Sequence, residues 1–299
     1  MFQLKFDSFK NIEISDKSKI KSTLHKCNPM QSDYNFATLY VWKDIYKTKW
    51  TYIDELLIIY AASTDFILMP IGREINFDEL LQISDIFKNE NKKGNFTLVE
   101  LCFIEKNKDF IIKYFKPEQN QGYSDYIYLT KKLVELKGQK LHKKKNLISQ
   151  FLRNNPDYKS LRIQNSLLSE CKQLAEKWSE DKKCDGSSSL INEKLAIITA
   201  LDNFTQLDLD GLIISVKDNI IAFSIFSRQN TETYTVHFEK YNNKIKGSAQ
   251  IINWETAKYL LDKCKYINRE QDMGIPGLRQ AKMSYAPVFL IKTYNLFRS

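Results

Sequence analysis

Glycine and proline are scarce in this chain, with 9 glycines and 6 prolines among 299 residues. This composition excludes a collagen-like or loop-dominated architecture. Histidine is scarcer still: His25, His142 and His237 lie too far apart for the usual spacing of a zinc site, so we expect no metal. The five cysteines form no C-x-x-C pair, which favours reduced thiols and a cytoplasmic protein over a disulfide framework.

Long apolar runs are also missing. The best candidates, Leu56 to Met69 and Leu212 to Phe226, contain polar or charged residues and fall short of the roughly 18 apolar residues that a spanning helix needs. We therefore expect a soluble protein without a transmembrane segment, for which peripheral contact with an anionic membrane stays open. Charge of one sign is in modest excess, since 45 Lys and Arg against 36 Asp and Glu give +9. This excess permits an anionic partner and does not prove one.

What the chain does contain is apolar and aromatic residues, at 43% and 13%, which suffice for a buried core. In its first part, the pattern predicts strands at Leu56–Tyr60 and Phe66–Met69, a helix over Asn76–Asn89 with Asn76 as N-cap, and a strand over Phe96–Ile104. Linker-like composition between Tyr114 and Gly122 predicts two domains, residues 1–120 and 121–299.

The second part repeats the same order of elements. Three strands are predicted to lead into a helix, and a short strand, a short helix and a closing strand follow. Their predicted bounds are Leu209–Val216, Ile220–Ser227, Thr233–Lys240, Ser248–Lys263, Tyr266–Asn268, Leu278–Met283 and Val288–Phe297. The repeated order predicts an α+β fold in both halves and suggests an internal duplication.

The junction between the third of these strands and the following helix is a candidate phosphate-binding loop. Glycine permits a tight turn, and the first amides and the dipole of a helix attract phosphate. The residues assigned to the donor phosphate here are Lys244, Gly247, Ser248 and Ala249, with Ser248 as the helix cap. An ordinary capped helix start is the alternative interpretation.

Acidic side chains near the strand ends are candidate general bases. Glu239 lies at the end of the third strand, where it either accepts a proton from an amine nucleophile or forms a surface ion pair while Lys240 is solvated. Glu270 and Asp272 follow the next strand, in a loop with two glycines and a proline. Arg279 and Lys282, three residues apart, are predicted to share a helix face and to clamp a phosphate or carboxylate. A surface salt-bridge network is the alternative.

A lysine-rich segment forms a candidate anionic-partner patch. Its members are Lys140, Lys143, Lys144 and Lys145. Lysines on one helix can contact an RNA backbone or anionic headgroups, and a solvated helix face is the alternative interpretation.

The block from Asn268 to Pro287, with its sequence NREQDMG followed by GLRQAK and SYAP, resembles the phosphatidylglycerol lysyltransferase C-terminal domain family. The segments HFEK from His237 and HKKKN from His142 are similar to a branch of that family that lacks a membrane flippase. Asp33, Phe36 and Trp42 fit its N-terminal half. The resemblance thus covers nearly the whole chain.

The resemblance implies two tandem GNAT-like acyltransferase modules, with mixed, mostly antiparallel sheets flanked by helices. It also implies that Lys244-x-x-Gly247-x-Ala249 corresponds to the GNAT phosphate-binding loop, with lysine at its first position. Residues beside that loop are assigned to a substrate pocket. They are His237, Asn268, Arg269 and Tyr285.

Three functions follow as hypotheses. The first is an aminoacyltransferase that uses aminoacyl-tRNA as donor and an amine or hydroxyl of a lipid, peptide or small molecule as acceptor, so that tRNA is a partner. The second is an acetyl-CoA-dependent N-acetyltransferase. The third is a non-catalytic scaffold that binds RNA or protein. In each case we expect no permanently bound cofactor, and the oligomeric state stays open.

Overall fold

Two seven-stranded sheets organise the chain in the computed structural model, which describes residues 4–181 and 188–299. The strands of the described residues are β1 (Lys10–Asn11), β2 (Thr48–Ile53), β3 (Leu56–Ala61), β4 (Phe66–Leu68), β5 (Asn95–Val99), β6 (Phe115–Gln119), β7 (Asp125–Leu129), β8 (Lys159–Arg162), β9 (Asp210–Val216), β10 (Asn219–Arg228), β11 (Thr233–Tyr241), β12 (Tyr266–Asn268), β13 (Phe289–Ile291) and β14 (Tyr294–Arg298).

Helices cover both sheets. The α-helices of the described residues are α1 (Lys17–Cys27), α2 (Phe36–Val41), α3 (Lys43–Tyr46), α4 (Phe77–Asn89), α5 (Leu101–Lys106), α6 (Lys108–Tyr114), α7 (Thr130–Glu135), α8 (Gln139–Asn154), α9 (Leu168–Asp181), α10 (Ser188–Asp202), α11 (Ser248–Leu260) and α12 (Pro276–Met283). Within this described part, no helix is both long and apolar enough to cross a membrane.

The first compact unit contains the chain up to Ser124, together with Gln271–Gly274 and Ile291–Ser299. Its sheet has the order β1-β2-β3-β4-β5-β14-β6. Phe87 of α4 packs on Tyr60 of β3, with ring centroids 4.7 Å apart, inside the core of this unit. Helix α4 begins as predicted, because Asn76 and Glu79 form a reciprocal capping box.

The second compact unit contains Asp125–Glu270 and Ile275–Leu290. Its sheet has the order β13-β7-β12-β11-β10-β9-β8. Strands β9 and β10 are joined by Lys217 and Asp218, both at positive φ, as in the two-residue turns that match strand twist. Helix α11 covers this sheet with Ile251, Ile252 and other residues that are fully buried.

Two predicted strands differ from the structure. The one proposed over Phe96–Ile104 ends at Val99, where pairing with β14 ends, and the next residues form α5. The closing strand proposed over Val288–Phe297 is divided into β13 and β14, which belong to different sheets. The final strand therefore returns to the first unit, whereas the predicted division at residue 120 assigned it to the second domain.

Candidate functional site

Strands β11 and β12 of the second unit separate and leave an opening between them. They pair in parallel through Thr233–Thr235 and Tyr266–Asn268, where β12 ends while β11 continues to Tyr241. On the other side of β11, the register with β10 shifts at Ile225 and Phe226, opposite His237. Bulges of this kind often lie beside functional sites because they change the direction of a side chain.

An ion pair spans this opening. Arg269 follows β12 directly, and its Nη2 donates to Oε2 of Glu239 on β11 at 3.1 Å. Asn253 of α11 approaches the same oxygen at 3.4 Å. The side chains of Glu239 and Arg269 are 12% and 17% exposed, so the pair is shielded from water but still accessible. Because water is largely excluded, the two charges attract each other more strongly, and each also acts more strongly on a charged ligand.

Aromatic rings surround the guanidinium of Arg269. Its central carbon lies 5.1 Å from the ring centroid of Tyr285 and 5.9 Å from that of Tyr128. Burial raises the pKa of both tyrosines well above its ordinary value, so both rings keep their hydroxyl protons at neutral pH. The hydroxyl of Tyr128 donates to the carbonyl of Lys282 at 2.8 Å. Tyrosine rings thus hold the cation in place through their faces.

His237 belongs to a buried polar network beside the ion pair. Its Nε2 lies 2.8 Å from Oγ of Ser227, and its Nδ1 lies 3.0 Å from Oε1 of Glu270. The backbone of Glu270 has a φ of 55°, which is unfavourable for a residue with a side chain. The amide of Glu270 donates to Asn268 at 2.7 Å, and Asn268 in turn donates to Asp125 at 2.8 Å. These bonds fix the loop that carries Arg269.

Lys282 does not have the position predicted for it. Its Nζ donates to the carbonyls of Arg269 and of Glu270, and the side chain is buried, so it points inward and away from a phosphate held at the surface. Burial, and secondly the charge of Arg269, lower the pKa of this lysine to about 8. Arg279 lies on the same helix, α12, and is half-buried. The spacing of the two residues on α12 is as predicted, but Lys282 lies on its buried side.

The predicted acids divide between the two units. Glu239 and Glu270 belong to the second unit, whereas Asp272 belongs to the first. The carboxylate of Asp272 is fully buried and accepts from the amide of Gly274 at 2.8 Å. The neighbouring Gln271 donates to Asp33 at 2.5 Å, within the same unit. Asp272 therefore stabilises its own loop through a local hydrogen bond.

The candidate phosphate loop at 244–249 is held by hydrogen bonds to neighbouring residues of the chain. Gly247, at φ 89°, is the N-cap of α11, so Ser248 is the first helical residue and does not cap the helix as predicted. The Ser248 hydroxyl donates to the carbonyl of Asn242, and its amide donates to that of Ile245. A Cβ on Gly247 would lie 2.8 Å from the carbonyl oxygen of Leu147, so α8 packs directly on this turn. Lys244 is exposed and Ala249 is half-buried.

The four lysines of the candidate anionic-partner patch differ in their exposure to water. Lys140, Lys143 and Lys145 are exposed on α8, whereas Lys144 is half-buried and its Nζ lies 4.4 Å from the ring centroid of Tyr285.

On strand β11, Lys240 is buried, bonds Glu193 at 2.6 Å and lies 3.8 Å from the ring centroid of Trp178. The alternative of a solvated Lys240 beside Glu239 is therefore wrong, because alternation along β11 turns Lys240 toward α9 and α10.

Sequence reasoning missed several members of this group. Tyr128, Asn253 and Ser227 were not among the candidate residues, although each contacts one of them directly. Alternation along β7 places Tyr126 and Tyr128 on one face, which was the available signal for the tyrosines. Among the described residues, no group of three or more His, Cys, Asp or Glu side chains is arranged to hold a metal ion.

Comparison with known proteins adds to this geometry. Residues 26–297 match the sequence family described as phosphatidylglycerol lysyltransferase, C-terminal. A crystal structure of a conserved protein of unknown function from Bacteroides thetaiotaomicron is similar over 100% of both chains, with 32% identity and a TM-score of 0.91.

Two further solved structures show the fold. The C-terminal domain (DUF2156) of a proposed lysylphosphatidylglycerol synthetase from Agrobacterium fabrum has a TM-score of 0.67 at 12% identity, covering 95% of this chain and 92% of that one. A GNAT-family acetyltransferase from Colwellia psychrerythraea has a TM-score of 0.53 at 10% identity, covering 97% and 98%. The predicted α+β fold of tandem GNAT-like modules is confirmed.

Proposed function

The chain belongs to the phosphatidylglycerol lysyltransferase C-terminal family, and on this basis we propose that it is an aminoacyltransferase that uses aminoacyl-tRNA as donor. The observation that carries the proposal is the Glu239–Arg269 pair at the opening between β11 and β12. The family name makes a lysyl group the first donor to test and phosphatidylglycerol the first acceptor. Aminoacyl-tRNA is a cytoplasmic metabolite, so the proposal places the protein in the cytoplasm.

The transfer needs a proton acceptor and a place for a charged donor. The acceptor oxygen or nitrogen attacks the ester carbonyl of the donor, a new C–O or C–N bond forms, and the ester bond to the ribose breaks. The proton of the acceptor passes to Glu239 and then to the ribose oxygen that leaves. Arg269 and Asn253 orient the Glu239 carboxylate by contacting the same oxygen, Oε2. Its second oxygen, Oε1, is the atom we assign to the proton transfer.

The geometry of the loop at 244–249 favours this donor over acetyl-CoA. A GNAT-type pyrophosphate site uses free amides at the helix start, and here two of those amides, of Ser248 and Gln250, donate to Ile245 and Gly247, which leaves fewer for a pyrophosphate. Helix α8 also packs on Gly247 through Leu147. Acetyl-CoA transfer is therefore the second candidate, supported by the GNAT-like fold alone.

The test uses the purified full chain with lysyl-tRNA and phosphatidylglycerol vesicles, followed by a pool of aminoacyl-tRNAs with amine acceptors. We expect release of the aminoacyl group from tRNA that depends on an acceptor. Glu239→Gln should lower the rate by about 100-fold or more, the usual effect of losing a general base. Glu232→Gln, at an exposed position just before β11, is the matched control and should behave as the wild type.

Three outcomes would contradict the proposal. The first is that no charged tRNA is consumed under any of these conditions. The second is that Glu239→Gln transfers as fast as the wild type. The third is that acetyl-CoA, and not tRNA, raises the thermal unfolding midpoint, since a ligand that binds the folded state stabilises it. A scaffold without activity would instead bind tRNA equally well in the wild type and in Glu239→Gln.

A further inference from the structure

Lys144 points in a different direction from the lysines beside it. Successive residues of an α-helix are rotated by about 100°, so Lys143 and Lys145 of α8 face water when Lys144 faces the protein. The Nζ of Lys144 lies 4.4 Å from the ring centroid of Tyr285. Tyr285 also receives the guanidinium of Arg269, 5.1 Å from its centroid. Two cations from separate elements thus converge on one buried ring.

Of these two cations, Arg269 is paired with a carboxylate, and in the described part of the chain Lys144 is not. Glu239 bonds Arg269 through Nη2, and Glu270 is engaged by His237. Among residues 4–181 and 188–299, Lys144 has no carboxylate within ion-pair distance, and the other donors of Arg269 have no side-chain acceptor. Burial, and secondly repulsion by Arg269, lower the pKa of Lys144. A bound anion would relieve both effects.

We propose that Lys144 and Arg269 together bind the phosphate group of a phosphate ester beside Tyr285. The guanidinium supplies planar donors and the ammonium a mobile charge, a combination suited to phosphate oxygens. This inference rests on the proposed function to the extent that the donor and the lipid acceptor both carry such a phosphate. It places the phosphate contact at Lys144 and Arg269 instead of the loop at 244–249 and Lys282.

The experiment measures binding by isothermal titration calorimetry with two probes, adenosine 5′-monophosphate and glycerol 1-phosphate. The first represents the phosphate of a nucleotide end and the second that of a lipid headgroup. We expect at least one probe to bind the wild type, more weakly as salt is added. Lys144→Met should weaken that binding about tenfold, the effect of losing one charge-assisted hydrogen bond.

Matched variants separate a site from general charge. Lys131→Met removes the same charge from an exposed position on α7 and should leave the affinity unchanged. Lys144→Arg keeps the charge and should retain most of the affinity. The inference is overturned if neither probe binds the wild type, or if Lys131→Met weakens binding as much as Lys144→Met.

Failure of this inference can be distinguished from failure of the proposed function. Binding is measured without any transfer, so phosphate binding that depends on Lys144 in a protein without transferase activity would uphold the site and reject the reaction. Conversely, active transfer with equal rates and KM in the wild type and in Lys144→Met would uphold the reaction and reject the site.

Discussion

Lys282 keeps a titratable ammonium group inside the protein, between two backbone carbonyls. In the folded chain its pKa is about 8, whereas its ordinary value is 10.5. Between these two values the unfolded chain binds more protons than the folded chain, so the free energy of unfolding rises with pH across this window. Below pH 8 the buried charge destabilises the fold to its full extent.

Comparison with Lys282→Met tests this linkage, because other titrating groups cancel between the two proteins. From pH 7.5 to pH 9.5 the free energy of unfolding of the wild type should increase by about 2 kcal/mol relative to the variant. Urea unfolding at both pH values measures the difference. If the difference between the two proteins stays constant or falls as the pH rises, folding does not lower the pKa of Lys282.

At the scale of one element, the start of α11 depends on a glycine. Gly247 has a φ of 89°, and a Cβ there would meet a carbonyl oxygen of α8 at 2.8 Å. Gly247→Ala should therefore lower the free energy of unfolding by about 2–4 kcal/mol, from left-handed strain and overpacking. Chemical denaturation measures this loss.

Gly277 provides the comparison for that substitution. It lies in α12, and a Cβ there would have nothing within 4 Å. Gly277→Ala should change the free energy of unfolding by less than about 1 kcal/mol. Equal losses in the two variants would show that the packing of α8 on Gly247 is not what makes that position intolerant.

Local patterns predict elements better than they predict the directions in which those elements face. Alternation and turn residues gave β9, β10 and β11 nearly as observed, because adjacent strands of a hairpin pair locally. Spacing placed Arg279 and Lys282 on one helix but did not show that Lys282 is buried. Burial depends on contacts distant in the chain, which a single sequence does not contain.

The same limit applies to the candidate site residues: local patterns identify some of them, but their pairing depends on contacts distant in the chain. The strand-end position of Glu239 pointed to it directly, and Arg269 followed from the family resemblance, but their pairing requires β11 and β12 to lie side by side. The four lysines were equivalent in sequence, and the rotation of α8 distinguished Lys144. Which residues act in catalysis or binding stays a prediction.

For the whole molecule, the most consequential connection is the return of the chain to the first sheet. Strand β14 lies between β5 and β6 and pairs with both. Leu296 is fully buried there, and Arg298 bonds Asp85 at 2.7 Å. Without β14, β5 would lose one of its two partners and the edge strand β6 its partner in the sheet, which exposes backbone groups that a folded chain normally pairs.

Deletion of residues 291–299 should therefore unfold the first unit. Hydrogen exchange measured by mass spectrometry should show loss of protection throughout β3, β4 and β5, because a sheet without an interior strand loses its cooperative pairing. Leu296→Ala should destabilise the same unit by about 2–5 kcal/mol while leaving the strand in place. Unchanged protection of β5 after the deletion would contradict this role of β14.

The position of β14 also sets an order of events during translation. Domains generally fold as they leave the ribosome, with the N-terminal part first. Here the first sheet waits for β14, which is synthesised after every strand of the second sheet. The nascent first unit therefore carries an incomplete sheet until synthesis reaches Arg298, and β5 and β6 are exposed to aggregation or to a chaperone for that interval.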